Sequence, residues 1–73
     1  MTEIEMHAVV ALLEDRSSQG LLRGQVGTVV GLWAPGVYEV EFADGDGLPY
    51  AMEALAMDQL MVLHHNKPAQ QAA

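Results

Sequence analysis

The chain contains no cysteine. That absence removes thiol nucleophiles, thiolate metal sites, redox switches and disulfide staples together, and it fits a reducing compartment. Cations are almost as scarce, with Arg16, Arg23 and Lys67 set against ten acidic residues for a net charge of −7 when the histidines are neutral. Affinity for a polyanion comes mostly from Lys and Arg neutralising phosphates, so three scattered cations argue against nucleic acid as a partner. The same shortage argues against an anionic membrane surface. No run approaches the ~18 apolar residues that a membrane-spanning helix needs. The opening Met1-Thr2-Glu3-Ile4-Glu5 is acidic where a signal peptide is basic. The expected location is the cytoplasm.

What is present is apolar. Hydrophobic residues make up 51% of the 73 positions and charged residues only 18%. A chain this short has room for one domain, and it buries only ~60% of the surface its unfolded form exposes. A single core of that size takes roughly a dozen to fifteen large apolar side chains, and a larger surplus marks a partner surface. Self-association is therefore expected, as a dimer or higher homo-oligomer.

Along the chain, His7 to Leu13 is a short continuous apolar run followed by the polar cluster Glu14 to Gly20, which reads as a buried strand and a loop. Val26 to Trp33 is β-branched and interrupted by Gly27 and Gly31, whose presence suggests a bulge or a close backbone approach within a second strand. Pro35-Gly36 signals a turn. Val37 to Phe42 then alternates, with Tyr38, Val40 and Phe42 on one face and Glu39 and Glu41 on the other, as a half-buried antiparallel strand does. Asp44-Gly45-Asp46-Gly47 supplies the next hairpin connection, so the second, third and fourth strands should form a meander.

Pro49 to Leu63 admits two readings. Its Ala, Met, Glu and Leu residues are strong helix formers, and Pro49 suits a first helical turn. Two short strands around a turn or 3₁₀ bend at Ala56-Met57-Asp58 would instead help to close a barrel and cover an exposed edge. The end, residues 64–73, is polar and alanine-rich and reads as a flexible tail after a single domain over residues 1–63.

Several of these residues carry a resemblance. Leu13-Glu14-Asp15, Gly20-Leu21, Gly24 to Val30, Tyr38-Glu39-Val40-Glu41-Phe42, Asp46-Gly47 and Ala51 together resemble short bacterial proteins of the domain-of-unknown-function 4926 family. The likeness covers about Val9 to Leu63, and its most specific part is Gly24 to Val30 followed, after a turn, by the Tyr-Glu-Val-Glu-Phe strand. It implies an all-β fold, a small SH3-like barrel of about five strands, with Leu55 and Leu60 at apolar positions of the last two. It therefore implies strands over residues 49–63, with at most a short 3₁₀ or helical turn before the last. The family carries no established activity, and its members are similar to antitoxin-like or accessory proteins and to the barrel portion of nitrile hydratase β subunits. The methionine- and alanine-rich stretch Tyr50 to Met57 departs from the family pattern.

Chemistry-bearing motifs are few. Asp44-Gly45-Asp46-Gly47 begins like a calcium loop, but Leu48, Pro49 and Leu55 stand where such a loop needs an oxygen ligand, a glycine and a bidentate glutamate. Adjacent His64 and His65 would point to opposite faces of a strand, and His7 stands alone, so no metal site and no cofactor is expected. Thr2, Ser17, Ser18 and Thr28 lie beside no evident base, and Glu39 and Glu41 read as a solvated strand exterior rather than a catalytic carboxylate pair. No enzyme is expected. Trp33, Tyr38 and Tyr50, with Met52 and Met57, are the candidate interaction residues, although in so small a domain one or two of the aromatics must serve the core.

Three functions compete on this reading. The favoured one is a non-catalytic, self-associating interaction module, antitoxin-like or accessory, whose acidic surface suits a basic protein. The second is an enzyme whose site forms only on oligomerisation, by analogy with the SH3-like type II dihydrofolate reductase, although that enzyme's Val-Gln-Ile-Tyr signature is replaced here by Pro49-Tyr50-Ala51-Met52-Glu53. The third, a nucleic-acid-binding barrel, is opposed by the charge.

Overall fold

The computed structural model describes residues 4–64. It is all-β: β1 (Val9–Leu12), β2 (Val26–Ala34), β3 (Val37–Ala43), β4 (Pro49–Ala56) and β5 (Leu60–Val62), with 3₁₀ turns at Ser17–Gln19 and Met57–Gln59. The strands form one antiparallel sheet in the order β4-β3-β2-β1-β5.

The β2–β3–β4 meander follows from local chemistry. Alternation along β3 buries Tyr38, Val40 and Phe42 and turns Glu39 and Glu41 to the opposite face. Ala34 pairs with Val37, which leaves Pro35-Gly36 as the two-residue connection. Gly36 has φ of 75°, the positive value that a type II turn with proline at its first central position requires at its second. At the next hairpin, Asp44 Oδ1 accepts the N–H groups of Asp46 at 2.9 Å and Leu48 at 3.0 Å. That carboxylate organises its own turn, as the hairpin reading of the Asp-Gly repeat anticipated.

Both roles suggested for the β2 glycines occur. A Cβ on Gly27 would lie 2.7 Å from Val40 Cγ1 and 2.9 Å from the Glu41 carbonyl oxygen, so only glycine allows β2 to approach β3 this closely. Further along, pairing jumps from Val29–Val40 to Gly31–Glu39, and again from Leu32–Tyr38 to Ala34–Val37. Val30 and Trp33 are the extra residues of these two bulges.

Residues 49–63 are two strands around a 3₁₀ turn, against their helical propensity. Tertiary pairing explains the outcome: β4 zips onto β3 from Ala56–Val37 to Ala51–Phe42, and β5 pairs with β1 from Leu60–Leu12 to Val62–Val10. The turn has its own support, since Gln59 Oε1 accepts the Ala56 N–H at 2.8 Å and the Met57 N–H donates to the Gly36 carbonyl at 2.9 Å. In a flat sheet the edge strands β4 and β5 would lie about 19 Å apart, at ~4.8 Å per strand. The Met57–Gln59 turn joins them, and such a turn rises only ~2 Å per residue. The sheet must therefore curl until its edges approach, although no β4–β5 ladder closes it among the described residues.

β1 is shorter than the apolar run that contains it. His7 adopts φ of 70°, a left-handed conformation in which histidine is enriched, and its N–H donates to the Val29 carbonyl at 2.8 Å. Curling gathers one core from every strand: Val10 and Leu12, Val29, then Tyr38, Val40 and Phe42, Leu55 and Leu60, with Leu21 from the loop after the first 3₁₀ turn. The expected tail lies outside the described residues apart from His64.

Candidate interaction surface

The five interaction candidates separate by the face and end of the sheet on which they fall. Tyr38 points inward from β3, is only 4% exposed, and accepts the Ile4 N–H on its hydroxyl at 3.1 Å. It is therefore one of the aromatics that serve the core, and it is corrected from surface to interior. Met57 is partly buried and packs against the same core. Met52 is exposed on β4 opposite Glu41.

Trp33 and Tyr50 remain accessible, but they do not form one patch. Trp33 sits beside the Val37 end of β3, and Tyr50 beside the Phe42–Ala43 end. At ~3.4 Å per residue these positions lie about 17 Å apart along the strand. Tyr50 is tied down locally: its hydroxyl accepts from Gln25 Nε2 at 2.7 Å, and its ring centroid lies 6.5 Å from that of Phe42. Trp33 is 67% exposed, the highest value among the exposed large hydrophobic side chains of the described residues.

Beside the Trp33 bulge the curled sheet leaves a groove of about 300 Å³, lined by Ile4, Met6, Val29, Gly31, Leu32 and Tyr38, with Glu5 as the charged member of its wall. Leu32 and Met6 are 61% and 52% exposed at its rim. The sequence reading missed this groove because Ile4 and Met6 reach it from the chain start. A signal was nevertheless present, since the adjacent pair Leu32-Trp33 breaks the alternation of a half-buried strand.

A second apolar strip crosses the opposite face of β5–β1–β2, where Met61 pairs with Ala11 and Ala11 with Val26. Met61 and Val26 are about half exposed. Glu39 and Glu41 mark the same outer side of β3, with Thr28 opposite Glu41. Among the described residues no group of three or more His, Cys, Asp or Glu side chains is placed to hold a metal ion. No described helix is long and apolar enough to cross a membrane.

By fold this is a small all-β domain built on five antiparallel strands. The chain belongs to the family described as Domain of unknown function (DUF4926), whose model matches residues 6–62. No curated protein and no solved structure matches it.

Proposed function

We propose that the protein is a non-catalytic interaction module that associates with itself and offers an acidic face to a basic protein partner in the cytoplasm. The observation that carries this reading is a ratio. Among the described residues nine hydrophobic side chains are buried, while eleven large ones, from Met6 to Met61, are exposed. Scattered single exposures are ordinary, but five of these eleven group together, Val26 and Met61 in the β5–β1–β2 strip and Met6, Leu32 and Trp33 around the groove, as partner surfaces do. The curled sheet, with its 3₁₀ turn before the last strand, supports reading the fold as SH3-like, a frame that presents such surfaces without a deep cleft.

The acidic component rests on Glu39 and Glu41 sharing the outer face of β3 within a chain of net charge −7. Opposite charge on a partner would speed encounter and suppress wrong pairings. Sedimentation at micromolar concentration tests the self-association and is expected to show a species heavier than the 7.9 kDa monomer. A clean monomer throughout overturns it. Binding to a basic partner should weaken steeply with salt and with Glu39→Gln/Glu41→Gln, and indifference to both removes the acidic face from the proposal.

A further inference from the structure

We propose that two copies of the chain pair about a two-fold axis, with Trp33 of each seated in the apolar groove beside β2 of the other. The inference rests on the self-association proposed above and gives it a place. Its first support is the bulge. Regular pairing of β2 with β3 requires no extra residue between Leu32 and Ala34, yet Trp33 is inserted there and stands 67% exposed. Bulges re-aim a side chain, and this one holds a large apolar ring out of its own fold.

The second support is the groove. Its volume of about 300 Å³ accommodates one aromatic side chain, and its lining is apolar apart from Glu5, a carboxylate able to accept the indole N–H. Aromatic anchors in desolvated pockets are the groups that dominate binding energy at interfaces. Leu32 belongs to the groove and Trp33 follows it in sequence, so anchor and socket occupy one end of the molecule. That is the arrangement an isologous contact needs, in which the same patch serves both partners.

The scarcity of charge on this hairpin suits a second copy as the occupant. From Gly24 to Tyr38 the chain has no charged residue, although it carries −7 overall. Copies meeting through this hairpin bring only Glu5 at the groove wall and Glu39 beside Gly31 near the contact, whereas meeting through the outer face of β3 would oppose Glu39 and Glu41 together. A tryptophan buries about 150–250 Å². Two reciprocal anchors with Leu32 and Met6 around them give a contact below about 1,200 Å², the range of weak, reversible association. The dissociation constant expected for such a contact is micromolar.

Trp33 is the chain's single tryptophan, so its own fluorescence reads the contact. As concentration rises through the midpoint measured by sedimentation, its emission should move to shorter wavelength and its quenching by acrylamide should fall severalfold. Trp33→Ala and Met6→Glu should each raise the dissociation constant about thirtyfold or more. Both residues are exposed, so thermal melting should show that each variant folds. Mixing the two variants should restore a heterodimer, because one retains the groove and the other the indole. Leu48→Ala, at an exposed site on the β3–β4 connection, should change nothing. A dimer whose Trp33 stays as quenchable as in the monomer, or a mixture that associates no better than either variant alone, overturns the groove contact and leaves self-association standing. A monomer at high micromolar concentration overturns both.

Discussion

The two ends of the β2–β3 ribbon are made from the same pair of strands and behave in opposite ways. At the base, Gly27 lies against Phe42, Val29 pairs with Val40, and these residues are all buried. At the tip, three to six residues further along β2, two bulges interrupt the ladder and leave Leu32 and Trp33 more than 60% exposed. Strand alternation is enforced where a slip would expel the whole apolar set from the core. Where the bulges interrupt the ladder that constraint lapses on β2, although Tyr38 opposite Leu32 still belongs to the core.

Substitutions at the base should therefore unfold the protein, and those at the tip should leave it folded. The largest effect is expected from Phe42→Ala, a fully buried aromatic whose removal costs about 3–5 kcal/mol and, in so small a domain, most of the stability. Urea titration of the variant should show little or no folded baseline, and a normal midpoint would deny that the base holds the core. Gly27→Ala follows at about 1–3 kcal/mol, because its Cβ meets a carbonyl oxygen that cannot move without breaking the β2–β3 ladder. A midpoint at or above that of the parent chain would mean that the close approach is soft.

Between base and tip lies Tyr38. Tyr38→Phe leaves the Ile4 N–H without its partner, at a cost of about 1 kcal/mol. Because Ile4 lines the groove, the same variant should loosen the wall at the tip. Amide exchange at Ile4 should accelerate while exchange in β1 changes only by the global loss, and equal protection at Ile4 would remove the hydroxyl from this role. The smallest effect is expected at the tip itself. Under dilute, monomeric conditions Trp33→Ala should shift unfolding by no more than about 0.5 kcal/mol, as exposed substitutions do. A larger loss would show that Trp33 serves its own fold.

Legibility in the sequence followed the same division. The β3 face, the Pro35-Gly36 turn, the Asp44 hairpin and the special role of the β2 glycines could all be read locally, because each depends on residues within one or two turns of itself. The last two strands could not. Ala, Met, Glu and Leu over residues 49–63 favour a helix intrinsically, and they became strands because β3 and β1 offered unpaired edges. The exposure of the candidate residues was legible in part. Trp33 and Met52 were identified and are exposed, whereas Tyr38 was directed inward by the same alternation that placed it beside Val40 and Phe42.

By itself the sequence determined the composition of the problem: a short chain, rich in apolar residues, net acidic, and punctuated by turns that compel a meander. These are sums and local preferences, which need no partner to be expressed. Only the tertiary structure decided which surplus side chains stay outside and which of them share a place. Ile4 and Met6 reach the Leu32 groove from more than twenty residues away, and Tyr38 reaches Ile4 from 34 residues away. Such contacts depend on how the sheet curls, and that curl is set by long-range pairing and the short Met57–Gln59 link rather than by any residue acting alone.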